Sequence, residues 1–134
     1  MKKKVLILCT GNSCRSIMAE ALINAKLGEC VEAQSSGVQA SGVVNPKAQE
    51  LLEREGLWRD SYRSKVIEEV IENEFDLVVT VCDNAQETCP MFPKAVKTMH
   101  MGFEDPSGKE DKEYLIALEL INLNLLPRIK KELC

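Results

Sequence analysis

Apolar positions along the chain follow two periods. Continuous runs, Lys4-Val5-Leu6-Ile7-Leu8 and Phe75-Asp76-Leu77-Val78-Val79-Thr80-Val81, predict strands buried on both faces. Val31 to Ser36 and Lys97 to Met101 predict two more. Between them the period lengthens. Met18, Ala21, Leu22 and Ala25 stand at i, i+3, i+4 and i+7, a helix that Ser16 can cap and Gly28 can end. Pro46 opens a second helix, with Ala48, Leu51 and Leu52 on one face and Gly56 as its stop. Val66-Ile67 and Val70-Ile71 predict a short amphipathic helix. The last third reads as helical, with Leu118, Ile121 and Leu125 on one face and a kink or restart at Pro127.

Alternation of apolar strands with helices predicts an α/β fold, a mostly parallel sheet in three layers with helices on both faces. The chain has 134 residues, which suits a single domain over 1–134. In such sheets ligands bind beyond the carboxyl ends of the strands. Cys9, Cys82 and Asp105 follow the first, third and fourth strands.

The formal net charge is −4, against a protein built to neutralise a nucleic-acid backbone. Lys2-Lys3-Lys4 and the apolar run after them imitate a secretion signal, but the run ends at Cys9, short of an h-region. No stretch has the length of a membrane span. The expected location is therefore the cytoplasm, where thiols stay reduced and cysteines mean chemistry or metal more often than structural bridges. The six cysteines then stand out, because a chain this long needs no staples. A zinc site is disfavoured by a single histidine and no C-x2-C pair.

Cys9-Thr10-Gly11-Asn12-Ser13-Cys14-Arg15-Ser16 joins the first strand to the first helix with the spacing C-x5-R. Such a loop can turn successive backbone N–H groups inward, and the helix behind it adds partial positive charge. A tetrahedral oxyanion fits there, held by residues 10–15 and by the planar fork of Arg15. The same field favours a Cys9 thiolate aimed at the anion's central atom. Cys14 reads as a packing residue or an accessory thiol. Asp105, fixed before Pro106 in a loop after a strand, can protonate a leaving oxygen.

Cys9 to Ser16, Ser35-Ser36-Gly37, Asn45-Pro46-Lys47-Ala48 and Asp105-Pro106 resemble the low-molecular-weight tyrosine phosphatases and their relatives, the thioredoxin-coupled arsenate reductases. The resemblance runs through nearly the whole chain and implies a four-stranded parallel sheet with flanking helices. It also implies Cys9 as nucleophile, Arg15 as oxyanion clamp, Ser16 as a hydroxyl supporting the thiolate, Asp105 as general acid, and Asn12 as a hydrogen-bonded brace.

Phosphatase and reductase differ in thiols. Water completes a phosphatase turnover, so one cysteine suffices, whereas a reductase must dispose of an oxidised nucleophile. Cys82 and Cys89-Pro90 match the reductases' relay cysteines. The implied sequence is attack of Cys9 on arsenate, a Cys9–Cys82 disulfide with release of arsenite, then a Cys82–Cys89 disulfide reduced by thioredoxin or a similar dithiol protein. No cofactor is required. Scarce aromatics, and Ser107 after Asp105-Pro106 where a tyrosine would suit an aryl phosphate, favour the reductase. A phosphatase and a non-catalytic oxyanion-binding or redox-sensing module are the alternatives. Some of these reductases hold potassium near the loop; Asn12, Glu20 and Ser35 match its ligands, but Lys65 stands at the aspartate position, so no potassium dependence is expected. Of the remaining cysteines, Cys30 is expected to be buried beside the second strand and Cys134 to be incidental.

Overall fold

The computed structural model describes residues 2–82, 85 and 96–134. Four strands, β1 (Lys3–Cys9), β2 (Val31–Gly37), β3 (Leu77–Thr80) and β4 (Lys97–His100), form one sheet in the order β2-β1-β3-β4. All three pairings are parallel. The apolar runs that announced β1 and β3 become the two central strands, and Val5 to Leu8 and Leu77 to Val79 are fully buried. Pairing extends past β3, since the Val81 N–H donates to the Leu8 carbonyl. At the other end Asp76 accepts from the Lys4 N–H through its carboxylate and donates its own N–H to the Lys4 carbonyl.

Helix α1 (Arg15–Lys26) packs on β1 and β2 and touches α2 (Pro46–Arg54). The sequence suggested Ser16 as the cap of α1, but it lies inside the first turn, and its hydroxyl accepts a hydrogen bond from Asn12 in the loop before the helix. Asn45 caps α2 by accepting from the Lys47 and Ala48 N–H groups, and Pro46 takes a first-turn position where its missing N–H costs nothing.

The helix expected around residues 66–71 shrinks to a 3₁₀ turn, Ile67–Glu69. Val66 is extended and forms an isolated parallel bridge with Gly37, while the Gly37 N–H donates to the Lys65 carbonyl. That pairing draws the backbone out before a longer helix can start. The C-terminal helix is interrupted as Pro127 predicted. Helix α3 (Asp111–Leu120) widens to a π segment (Ile121–Leu125) and resumes as α4 (Leu126–Leu133), with Pro127 in its first turn. A proline lacks the N–H that the preceding turn needs and its ring crowds that turn's carbonyl, which a wider turn relieves. Leu118, Ile121 and Leu125 are buried, as their spacing required.

Candidate active site

The loop between β1 and α1 is shaped from outside. Its carbonyls at Cys9, Thr10, Gly11 and Ser13 accept from the N–H groups of Val38, Gln39, Ser41 and Asn45. The Gly11 carbonyl also accepts from the Ser64 hydroxyl. With these carbonyls turned outward, the opposed N–H groups of the same peptides line the concave side, the arrangement that binds a tetrahedral anion.

Asn12 holds the loop closed. It is fully buried and sits at φ 49°, a left-handed conformation that asparagine tolerates better than most residues. Its amide nitrogen donates to the Ser16 and Ser35 hydroxyls at 2.8 and 3.0 Å, and its oxygen accepts from the Lys65 N–H at 2.8 Å. Ser35 passes the chain on to Glu20, donating to its carboxylate at 2.5 Å. Burial pushes Glu20 up to about 7, against the opposing effects of Ser35, Lys65 and Arg59. Lys65 itself is lowered by burial, and the Glu20 charge resists that shift. The Lys65 ammonium thus acts on the Glu20 carboxylate that ends this chain of hydrogen bonds. Among the described residues no set of three or more His, Cys, Asp or Glu side chains gathers to hold a metal ion.

Gly37 is a functional position that sequence reasoning noted only as part of a turn. Paired with Cys9 in the β1–β2 ladder, it lies against the loop. A Cβ there would come within 2.5 Å of the Thr10 carbonyl oxygen and 3.1 Å of the Asn12 backbone nitrogen. Only glycine lets β2 approach so closely.

The thiols of Cys9 and Cys82 meet at the carboxyl edge of the sheet. Both are buried, and they are in hydrogen-bonding contact. Thr10 Oγ1 shares a further hydrogen bond with Cys82 Sγ at 3.1 Å. The contact with Cys82 and burial raise Cys9, with Arg15 opposing. The same contact lowers Cys82 to about 5 against burial, helped by the Thr10 hydroxyl, the Ala85 backbone and Arg15. The contact thus favours negative charge on Cys82 and disfavours it on Cys9, the reverse of the Cys9 thiolate expected from the loop's field, because the neighbouring sulfur and burial outweigh Arg15. Cys14 is different: burial, reinforced by Asp105, pushes it up to about 12, so it remains a thiol at neutral pH.

Arg15 spans the mouth of the loop. Its Nη1 donates to the Phe103 carbonyl at 3.0 Å, and its Nη2 lies 3.6 Å from the Asp105 carboxylate. Asp105 accepts from the Ser107 N–H at 2.9 Å. Partial burial would raise Asp105, but the Ser107 N–H and hydroxyl, Arg15 and Lys109 outweigh it and keep the carboxyl below its ordinary range. The loop, Arg15, Ser16, Cys82 and Asp105 are thus brought together, as their positions after successive strands predicted. Cys89 lies outside the described residues. His100, at the end of β4, shares a hydrogen bond with Thr80 at 2.7 Å.

The reading of the last two cysteines also fails. Cys30, expected to be buried beside the second strand, and Cys134, expected to be incidental, are joined in a disulfide with Cα atoms 5.9 Å apart. Their separation of 104 residues leaves no local signal, and only the fold brings the end of α4 to the start of β2.

The model of the low molecular weight phosphotyrosine protein phosphatases matches residues 4–132. This chain belongs to that family. Within the phosphotyrosine phosphatase family its relatives include reductases. The chain is 44% identical over 113 residues to arsenate reductase 2 of Staphylococcus haemolyticus, covering 84% of this chain and 86% of that one. Among solved structures, an arsenate reductase in the phosphate binding state superposes with a TM-score of 0.84 at 25% identity, covering 97% of this chain and 98% of that one. The low molecular weight protein tyrosine phosphatase from T. tengcongensis gives 0.82 at 29% identity, covering 97% and 99%. The four-stranded parallel sheet with flanking helices is the family fold. No described helix is long and apolar enough to cross a membrane.

Proposed function

We propose that this protein reduces arsenate to arsenite with a Cys9 nucleophile and a Cys82/Cys89 relay, in the cytoplasm, with thioredoxin or a similar dithiol protein as reductant. The observation that carries the reading is the second thiol held against the nucleophile, Cys82 on Cys9 and Thr10. The identity of 44% to an arsenate reductase supports it.

In this reading arsenate is the substrate. The loop N–H groups and Arg15, turned in from Phe103, bind its oxygens, and Cys9 passes its proton to Cys82 as its sulfur attacks arsenic. One arsenate oxygen leaves as water, its protons supplied by the substrate and by Asp105. Asp105 is ionised in the open site, so it must first take a proton, which Arg15 permits when it swings from the carboxylate to the anion. Cys82 then loses its proton, with Thr10 and the Ala85 N–H favouring its thiolate, and attacks the Cys9 sulfur. The sulfur–arsenic bond breaks, its electron pair stays on arsenic, and arsenite leaves with arsenic reduced from the +5 to the +3 state. Cys89 attacks Cys82 in the resulting Cys9–Cys82 disulfide, restoring Cys9, and the dithiol partner reduces Cys82–Cys89.

Replacing Cys82 or Cys89 by Ser tests the relay. Each variant is expected to lose multiple turnover of arsenate with thioredoxin while retaining hydrolysis of p-nitrophenyl phosphate. Rapid ester hydrolysis by the unaltered protein with no arsenate turnover would overturn the proposal in favour of a phosphatase.

A further inference from the structure

A second sulfur centre lies at the far end of the sheet. Cys30 directly precedes the first residue of β2, whereas Cys9 is the last residue of β1. The parallel register sets Lys3 beside Val31 and Cys9 beside Gly37, six residues on, so at 3.3 Å per residue about 20 Å separates the two centres. No residue of the catalytic loop reaches the Cys30–Cys134 bond.

That bond lines an open cavity of about 620 Å³. Four cationic side chains, Lys2, Lys26, Arg59 and Lys130, share the lining with two acidic ones, Glu29 and Glu32. In a chain of net charge −4 this is a local excess of positive charge. Cys134 is an exposed residue and Cys30 a half-buried one, and both line the cavity, so the bond lies at the surface of the fold rather than inside the core. Exposed disulfides are the reducible ones, and exchange requires a thiolate to approach along the S–S axis.

We propose that the Cys30–Cys134 disulfide is a thiol-exchange site for small anionic thiols of the glutathione class, which the cation-lined cavity gathers. The incoming thiolate bonds to the Cys134 sulfur. The Cys30–Cys134 bond breaks, and its electron pair leaves on Cys30, which takes a proton from water. The product is a mixed disulfide on Cys134. A second thiolate attacks the small-molecule sulfur, releasing the symmetrical disulfide and a Cys134 thiol. Two electrons pass from two small thiols to the protein, and the oxidised small thiol drives the same steps in reverse. Opening the bond frees the end of α4 from the start of β2 and leaves the catalytic loop as it is.

The probe is glutathione against its diethyl ester, which carries the same thiol without the carboxylate charges. In a full-length background with Cys9, Cys82 and Cys89 replaced by Ser, mass mapping is expected to find the glutathione adduct on Cys134. Glutathione is expected to react about 3- to 10-fold faster than the ester at low ionic strength. That ratio should fall towards one in 1 M salt, or with Lys26→Gln and Lys130→Gln together. The Cys30→Ala, Cys134→Ala protein should melt about 10 °C lower, since the bond closes a loop of about 100 residues, with arsenate turnover unchanged. Free thiols at both positions in air-equilibrated protein would overturn the proposal. So would equal rates for the two probes at low salt, or a loss of arsenate turnover in the double variant.

Discussion

Asn12→Ala should cost about 3–5 kcal/mol of folding stability. The amide makes three hydrogen bonds, two of them buried, to Ser16 and Ser35, and one part-buried, from the Lys65 N–H. A net hydrogen bond contributes about 1 kcal/mol, and a buried partner left unpaired costs about 1–3 kcal/mol. Alanine at φ 49° adds about 1–2 kcal/mol of backbone strain. The two contributions separate experimentally, because Asn12→Gly loses the same hydrogen bonds without the Cβ. Glycine should therefore recover about 0.5–1 kcal/mol relative to alanine, after allowing for its greater freedom in the unfolded chain. Urea titration of the three proteins, with m unchanged, gives both differences. A loss below about 1 kcal/mol for Asn12→Ala, or a glycine variant less stable than the alanine variant, would refute the reasoning that this amide braces the loop.

Gly37→Ala sets a Cβ within 2.5 Å of the Thr10 carbonyl oxygen, and a backbone atom cannot rotate aside; competitive inhibition by phosphate should weaken at least about tenfold, or about 1.4 kcal/mol. Glu20 has an ordinary value of 4.5 and is raised to about 7 in the fold, so the folded protein binds the extra proton. Its contribution is fully present below pH 4.5 and is lost as pH rises to 7, by about 3 kcal/mol; Glu20→Gln should flatten that part of the stability profile, as measured by denaturant titration at each pH. With the Lys65 ammonium facing Glu20, potassium should raise Tm no more than an equal concentration of sodium. Lys65→Asp, which removes that cation and adds a carboxylate, should create a difference between the two salts.

What the sequence carried was what a short stretch of chain decides for itself. An uninterrupted apolar run followed by C-x5-R states both a buried strand and a helix-terminal loop, and Pro46 and Pro127 act on their own turns. The roles of Asn12 and Ser16 as brace and supporting hydroxyl came from family resemblance, whereas Asp105 was marked by its place before Pro106 in a loop after a strand and the resemblance agreed. Positions set by long-range pairing left no local mark. Gly37 must be small because the β1–β2 register lays it on Thr10 and Asn12. The extended Val66 that shortened the predicted helix is drawn out by the same strand end. Cys30 and Cys134 show nothing locally because their meeting depends on where α4 finishes.

The meeting of Cys9 and Cys82 belongs to the same class, and it bears most on function. The two are 73 residues apart, each at the end of an apolar run, and nothing in either run specifies the other. Their contact follows from β1 being central: with Leu8 beside Thr80 in a parallel ladder, the chain leaving β3 emerges next to the loop leaving β1. A family loop with one thiol needs only the anion site. Adding a thiol at this edge puts it first against Cys9 and then against the loop's Thr10 hydroxyl and Arg15 charge, all of which favour its thiolate. Electrostatics assembled to hold an oxyanion thereby also activate a second sulfur, so a phosphatase site becomes capable of disulfide chemistry without rebuilding the loop. On this argument Thr10→Val should slow the step in which Cys82 attacks Cys9 more than it slows p-nitrophenyl phosphate hydrolysis. A single-turnover arsenite-release assay run beside the ester assay measures both, and equal slowing of the two would refute the argument.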